Sequence, residues 1–96
     1  MAAYVIVETD ITDAAQYEQY KAASPGAIEA GGGRFLARGG EVAVLEGDWR
    51  PSRLVMLEFE DLDAARRWYR SEVYQQAKTL RDGAARLRMV AVQGGD

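Results

Sequence analysis

The side chains able to do chemistry in this chain are arginines, tyrosines and carboxylates, because the sequence contains neither histidine nor cysteine. That excludes imidazole acid–base catalysis, thiolate nucleophiles, disulfides and the usual zinc and haem ligand sets. No dense acidic loop of the calcium-binding kind appears, so neither a metal nor a cofactor is expected. What remains is recognition of anions. A guanidinium fork binds a planar carboxylate or enolate in bidentate fashion, and an aromatic wall beside it excludes water. Arg38, Arg53 and Arg81, with Tyr17 and Tyr20, are the candidate ligand-binding residues for a small anionic metabolite. Glu58 and Tyr74 are the candidates for moving or orienting a proton. Each has a structural alternative. Arg81 follows a helix whose carbonyl end favours a cation. Glu8 and Glu46 can pair with strand arginines, and such networks are commoner than substrate sites. Glu58 lies on an otherwise apolar strand and needs a partner if buried. Tyr74 serves equally as a core aromatic with its hydroxyl satisfied.

The elements that must position these residues follow from periodicity. Residues 3–9, AYVIVET, are short, β-branched and apolar on both parities, which predicts a strand covered on both faces. Thr12 or Asp13 caps a helix, with Gln16 in the capping-box position and Tyr17, Tyr20 and Lys21 at helical spacing. Ser24-Pro25 is expected to interrupt or restart that helix, since Ser suits a cap and Pro a first turn. Residues 34–38 form a short strand, and residues 41–46, EVAVLE, alternate cleanly as a further strand segment. GDWRPS is a loop. Residues 53–60, RLVMLEFE, form a strand apolar on both parities. Asp61 and Ser71 cap two helical segments, the first turning Ala65, Trp68 and Tyr69 inward and the second Val73, Ala77 and Leu80. Residues 86–92 supply the last strand, and residues 94–96 are read as a frayed tail.

The order is β, α, β broken at a glycine pair, β, α, β. This is the ferredoxin-like pattern, an α+β fold with an antiparallel sheet and its helices on one face. In that topology Glu8, Glu46, Arg53, Arg86 and Arg88 lie towards one end of the sheet, and Tyr4 and Glu58 towards the other. A catalytic Glu8/Glu58 pair is thereby excluded, since paired carboxylates must lie within about 10 Å of each other.

GGGRFLARGG, residues 31–40, holds half of the ten glycines and two arginines. A dinucleotide loop needs its glycines between a strand and a following helix. Here the first cluster follows a helix and the second joins two strand segments, so the glycines read as turn chemistry. Arg38 beside the second cluster either faces a ligand cleft or guards an edge strand. Trp49, in a polar loop, is expected to pack across a subunit contact or close the cleft.

Ninety-six residues suit one domain, residues 1–96, with little stability in reserve. A net charge of −3 argues against a nucleic-acid or membrane-surface binder. No run is apolar enough to cross a bilayer, and the protein is expected in the cytoplasm. Three strands are apolar on both faces, yet the chain has no further segment to cover the face opposite the helices. A second copy packed sheet to sheet is the expected solution, which makes a homodimer.

AAYVIVET, QYEQYKAASP, GGRFLARGGEVAVLEGDW, RLVMLEF, AARRWYRSEVYQQAKTLR and the closing AVQG together resemble the domain of unknown function 1330 family over nearly the whole chain. The resemblance implies a ferredoxin-like subunit of the dimeric α+β barrel superfamily. It carries no catalytic residues with it. Two functions remain open: a cofactor-independent enzyme acting on a small organic acid between sheet and helices, or a non-catalytic ligand-binding or structural dimer. An open cleft lined by converging polar groups favours the first, and a cleft filled by Tyr17, Tyr20, Trp68 and Leu80 the second.

Overall fold

A computed structural model describes residues 1–95. Strand β1 (Ala3–Ile11) leads into helix α1 (Ala14–Ala30) and strand β2 (Arg34–Arg38). A long loop follows, then β3 (Leu54–Phe59), helices α2 (Leu62–Arg70) and α3 (Glu72–Thr79), and β4 (Ala85–Gln93). The strands lie in the order β2-β3-β1-β4, and every neighbouring pair is antiparallel. This is the ferredoxin-like α+β architecture that the element order predicts.

Parity decides the two faces. Ala3, Val5, Val7 and Thr9 of β1 and Val55, Leu57 and Phe59 of β3 are buried beneath the helices. Their alternates, Tyr4, Ile6, Leu54 and Met56, face the other way and are only half-buried. On β4 that second face leaves Val90 and Val92 at 62% and 50% exposure. The helix side is filled by aromatic rings: Trp68 packs on Tyr74 with centroids 4.3 Å apart and on Phe59 at 5.2 Å. Complete burial of Phe59, Leu57 and Tyr74 stabilises the fold by about 1.5–3 kcal/mol per large side chain.

Each helix begins at the expected cap. Asp13 accepts from the Gln16 amide at 3.1 Å, Asp61 from Ala64 at 2.7 Å and Ser71 from Tyr74 at 3.2 Å. Helix α1 turns Tyr17, Tyr20, Ser24, Ala27 and Ile28 inward and runs on through Pro25, where the sequence predicts a break. It stops at Gly31, and Gly32 takes the left-handed conformation at φ +84°. Gly33 lies so close to the Phe59 ring that a Cβ there would meet it at 2.5 Å.

Besides the break at Pro25, four expectations need correction. Residues 41–46 form no strand: they lie in the loop after β2, with Leu45 95% exposed. Their alternation is sound, but they pair with no strand, and β2 and β4 remain the edges of the sheet. Tyr69, expected inward on α2, is exposed, as is Val73 at 52%, and on α3 Tyr74 takes the inward position instead. Of the expected tail, Gly94 is held, its amide donating to the Ala2 carbonyl at 2.6 Å; Asp96 lies outside the described residues. Among those residues, no helix is long and apolar enough to cross a membrane.

Candidate anion site between α1 and the sheet

The α1–sheet interface encloses a cavity of about 30 Å³, walled by Thr9, Tyr17, Tyr20, Arg38, Arg53 and Trp68 together with apolar core residues. Lys21, Arg38 and Arg53 also line an open depression of about 350 Å³ beside it, which Glu18 and Ala22 complete. The interior is water-sized because Tyr17, Tyr20 and Trp68 are all buried and fill most of the space. Leu80 packs against the same cluster.

Three polar atoms among the walls are buried without a hydrogen-bond partner: Thr9 Oγ1, Arg53 Nε and Trp68 Nε1. A buried donor left unpaired costs about 1–3 kcal/mol, so three around one cavity constitute an unspent capacity for binding an acceptor. Arg53 is set in place by its backbone, whose carbonyl accepts from the Thr9 amide at 3.0 Å. Its guanidinium lies against Gly39, where a Cβ would collide with it. Gly39 also has φ +72°, so the glycine pair serves both the turn and the seating of an arginine. Arg38 stacks over the Phe35 ring at 4.6 Å and donates to the Lys21 carbonyl at 2.9 Å. Lys21 pairs with Glu18 at 3.5 Å on the surface. The mouth thus carries three cations and one carboxylate.

Of the seven candidates, Tyr17, Tyr20, Arg38 and Arg53 meet at this cavity. Tyr74 is connected to it from behind, its hydroxyl 2.9 Å from that of Tyr20. Arg81 lies over the Tyr20 ring at 5.3 Å and is 9% exposed. Burial and the neighbouring Tyr74 hydroxyl push the Tyr20 pKa upward, so Tyr20 stays protonated and is not a base. Burial works against the Arg81 charge, but the oxygens of Tyr74 and Tyr20 more than offset it and hold the proton more firmly than in an ordinary arginine.

Glu58 is elsewhere. It accepts from Arg34 Nε at 2.6 Å on the opposite face of the sheet, the partner that its position required. Glu8 likewise accepts from Arg88 Nε at 2.8 Å and from the Trp49 indole at 3.1 Å. The hydrogen bond from Arg88, followed by that from Trp49, lowers the Glu8 pKa. Arg86 and Arg88 therefore stand with Glu8 beside a separate depression, and Arg53 and Arg81 do not share a cavity either. Among the described residues no three metal-ligating side chains come together. Thr9 and Lys21 are additions. Thr9 was readable as the inward polar residue that ends the Ala3, Val5, Val7 series, and Lys21 as the helical neighbour of Tyr17 one turn on.

Solved structures share this fold. A protein of unknown function from Rhodopseudomonas palustris superposes with a TM-score of 0.76 at 19% identity, covering 99% of this chain and 83% of its own. SnoaB, a cofactor-independent oxygenase from Streptomyces nogalater, gives 0.70 at 14% identity over 99% and 94%. A dimeric ferredoxin-like protein of unknown function from Thermobifida fusca gives 0.67 at 16% over 98% and 92%. At these identities the likeness is one of fold. No curated protein matches the chain. Residues 2–95 match the model of the domain of unknown function (DUF1330), and the chain belongs to that family.

Proposed function

We propose that the protein is a homodimer that binds a small organic acid at the mouth between α1 and the sheet without turning it over, since Tyr17, Tyr20, Trp68 and Leu80 fill the cleft behind. One observation carries this reading: Thr9 Oγ1, Arg53 Nε and Trp68 Nε1 are buried and unpaired around a single cavity that opens between Arg38, Arg53 and Lys21. The cavity is large enough for one carboxylate or enolate oxygen, and the body of the acid lies in the depression outside. The walls supply donors and no carboxylate. Such a set stabilises negative charge that develops on a ligand oxygen, and it does not remove a proton from carbon. The ligand class that fits is a small carboxylic acid or an acid already present as its enolate. Turnover of the bound acid without a cofactor is the second reading, favoured by the fold shared with the cofactor-independent oxygenase SnoaB. The homodimer reading rests on the apolar outer face of the sheet and on similar proteins described as dimeric.

The test is thermal unfolding with acetate, propionate and pyruvate against their amides, in the wild-type protein and in Arg53→Met. The acids raise the midpoint of the wild type, the amides do not, and the response is lost in Arg53→Met. An unchanged response in Arg53→Met, or none to any acid, overturns the reading.

A further inference from the structure

A second cleft, of about 430 Å³, lies between α2 and β4. Its floor is apolar, made by Val5, Leu87, Met89 and Ala91, and its rim bears Arg66, Arg70 and Arg81 with the Trp68 and Tyr69 rings. Arg66 and Arg70 are one helical turn apart on α2 and so share a face. Arg66 is engaged at the surface by Asp63 at 3.0 Å. No aspartate or glutamate lines the cleft. Arg81 is the exceptional member: it is 91% buried, being 9% exposed, and its Nε has no hydrogen-bond partner. A guanidinium held in that state by the core presents a donor without an acceptor, beside a cleft of the size that small ligands occupy.

We propose that the α2–β4 cleft is a binding site for an aromatic carboxylate, its acid group held by Arg81 and Arg70 and its ring laid on the apolar floor against Trp68. An aliphatic acid would forgo the ring contacts, and a neutral aromatic would leave Arg81 Nε without an acceptor. The site is distinct from the α1 mouth: Arg53, Arg38 and Lys21 take no part in it, and Trp68 stands between the two.

The probe is 2-naphthoate, with 2-naphthamide as its neutral counterpart, titrated into the full chain carrying Trp49→Phe so that Trp68 is the only indole. Naphthoate changes the Trp68 emission saturably and the amide does not. Arg70→Glu, an exposed substitution, weakens naphthoate binding at least about tenfold. Ala91→Phe, which fills the cleft from the exposed strand β4, abolishes it. Arg53→Met leaves it unchanged. Equal binding of acid and amide, no saturable response, or full affinity in both Arg70→Glu and Ala91→Phe overturns the proposal. Loss of naphthoate binding in Arg53→Met also overturns it, by moving the ligand to the α1 mouth. Failure of the small-acid response there leaves this cleft untouched.

Discussion

The Arg38 guanidinium donates to the Lys21 carbonyl at 2.9 Å, the same carbonyl that an amide at position 25 would take in an uninterrupted α-helix. Pro25 has no amide hydrogen, yet α1 continues through it. A proline inside a helix costs about 3 kcal/mol, partly through the acceptor it leaves without a donor. Arg38 supplies that donor from the neighbouring strand. It neither guards an edge alone nor faces a ligand alone: it splices α1 to β2 at the mouth of the anion site.

This relationship predicts coupling. Arg38→Met in the wild-type background lowers stability by about 1 kcal/mol, the usual net contribution of one such bond. In a Pro25→Ala background the helix makes its own bond to Lys21, and the same substitution costs less than half as much. Urea unfolding of the four proteins in a double-mutant cycle measures the difference. Strictly additive effects would show that the Arg38 bond does not compensate for the proline.

The buried Tyr20–Tyr74 hydroxyl pair predicts a different cycle. Tyr20→Phe or Tyr74→Phe alone strands one buried hydroxyl and costs about 1–3 kcal/mol, while the double variant recovers much of the loss because neither hydroxyl remains. A pH dependence follows from the raised Tyr20 pKa. Above the ordinary tyrosine value of 10 the unfolded chain gives up a proton that the native state keeps, so stability falls as the pH rises through that value. The fall is shallower in Tyr20→Phe. Equilibrium unfolding at pH 8 and pH 10.5 decides it.

The glycine pair predicts an asymmetry between adjacent positions. Gly39 has φ +72° and abuts the Arg53 guanidinium, whereas Gly40 has open space where a Cβ would point. Gly39→Ala therefore costs about 1 kcal/mol or more in backbone strain and displaces Arg53. Gly40→Ala leaves stability and the acid response near wild type. Thermal unfolding with and without pyruvate measures both effects. Equal behaviour of the two variants would detach Arg53 from the turn.

What the sequence reveals and what it hides divide along physical lines. Caps are local, so Asp13, Asp61 and Ser71 were legible from a few residues each. The doubly apolar strands β1 and β3 were legible because apolar residues at both parities leave a mark on every position. Residues 41–46 misled for the complementary reason: alternation reports what side chains prefer, and a strand also needs backbone pairing, which these residues do not make even beside the edge strand β2. The roles of Arg38 and Arg81 were not legible in full. Arg38 answers a proline thirteen positions earlier, and Arg81 is defined by Tyr20, sixty-one positions away. Glu58 was placed at its end of the sheet by topology, but only the strand register shows that Arg34 stands opposite.

The outer face of the sheet carries the last prediction. Val90 and Val92 project from β4 at 62% and 50% exposure, next to the half-buried Ile6 and Met56 that share their face. Because they are already exposed in the single chain, Val90→Glu with Val92→Glu leaves the subunit fold intact. In a sheet-to-sheet homodimer the same glutamates would be desolvated opposite their symmetry mates, which is costly for like charges. Sedimentation equilibrium is expected to show a dimer for the wild type and a monomer for the double variant, with unchanged circular dichroism. Arg67→Glu, on the solvent side of α2, leaves the dimer in place. A double variant that remains dimeric would put the interface elsewhere, and the apolar outer face would then need another cover.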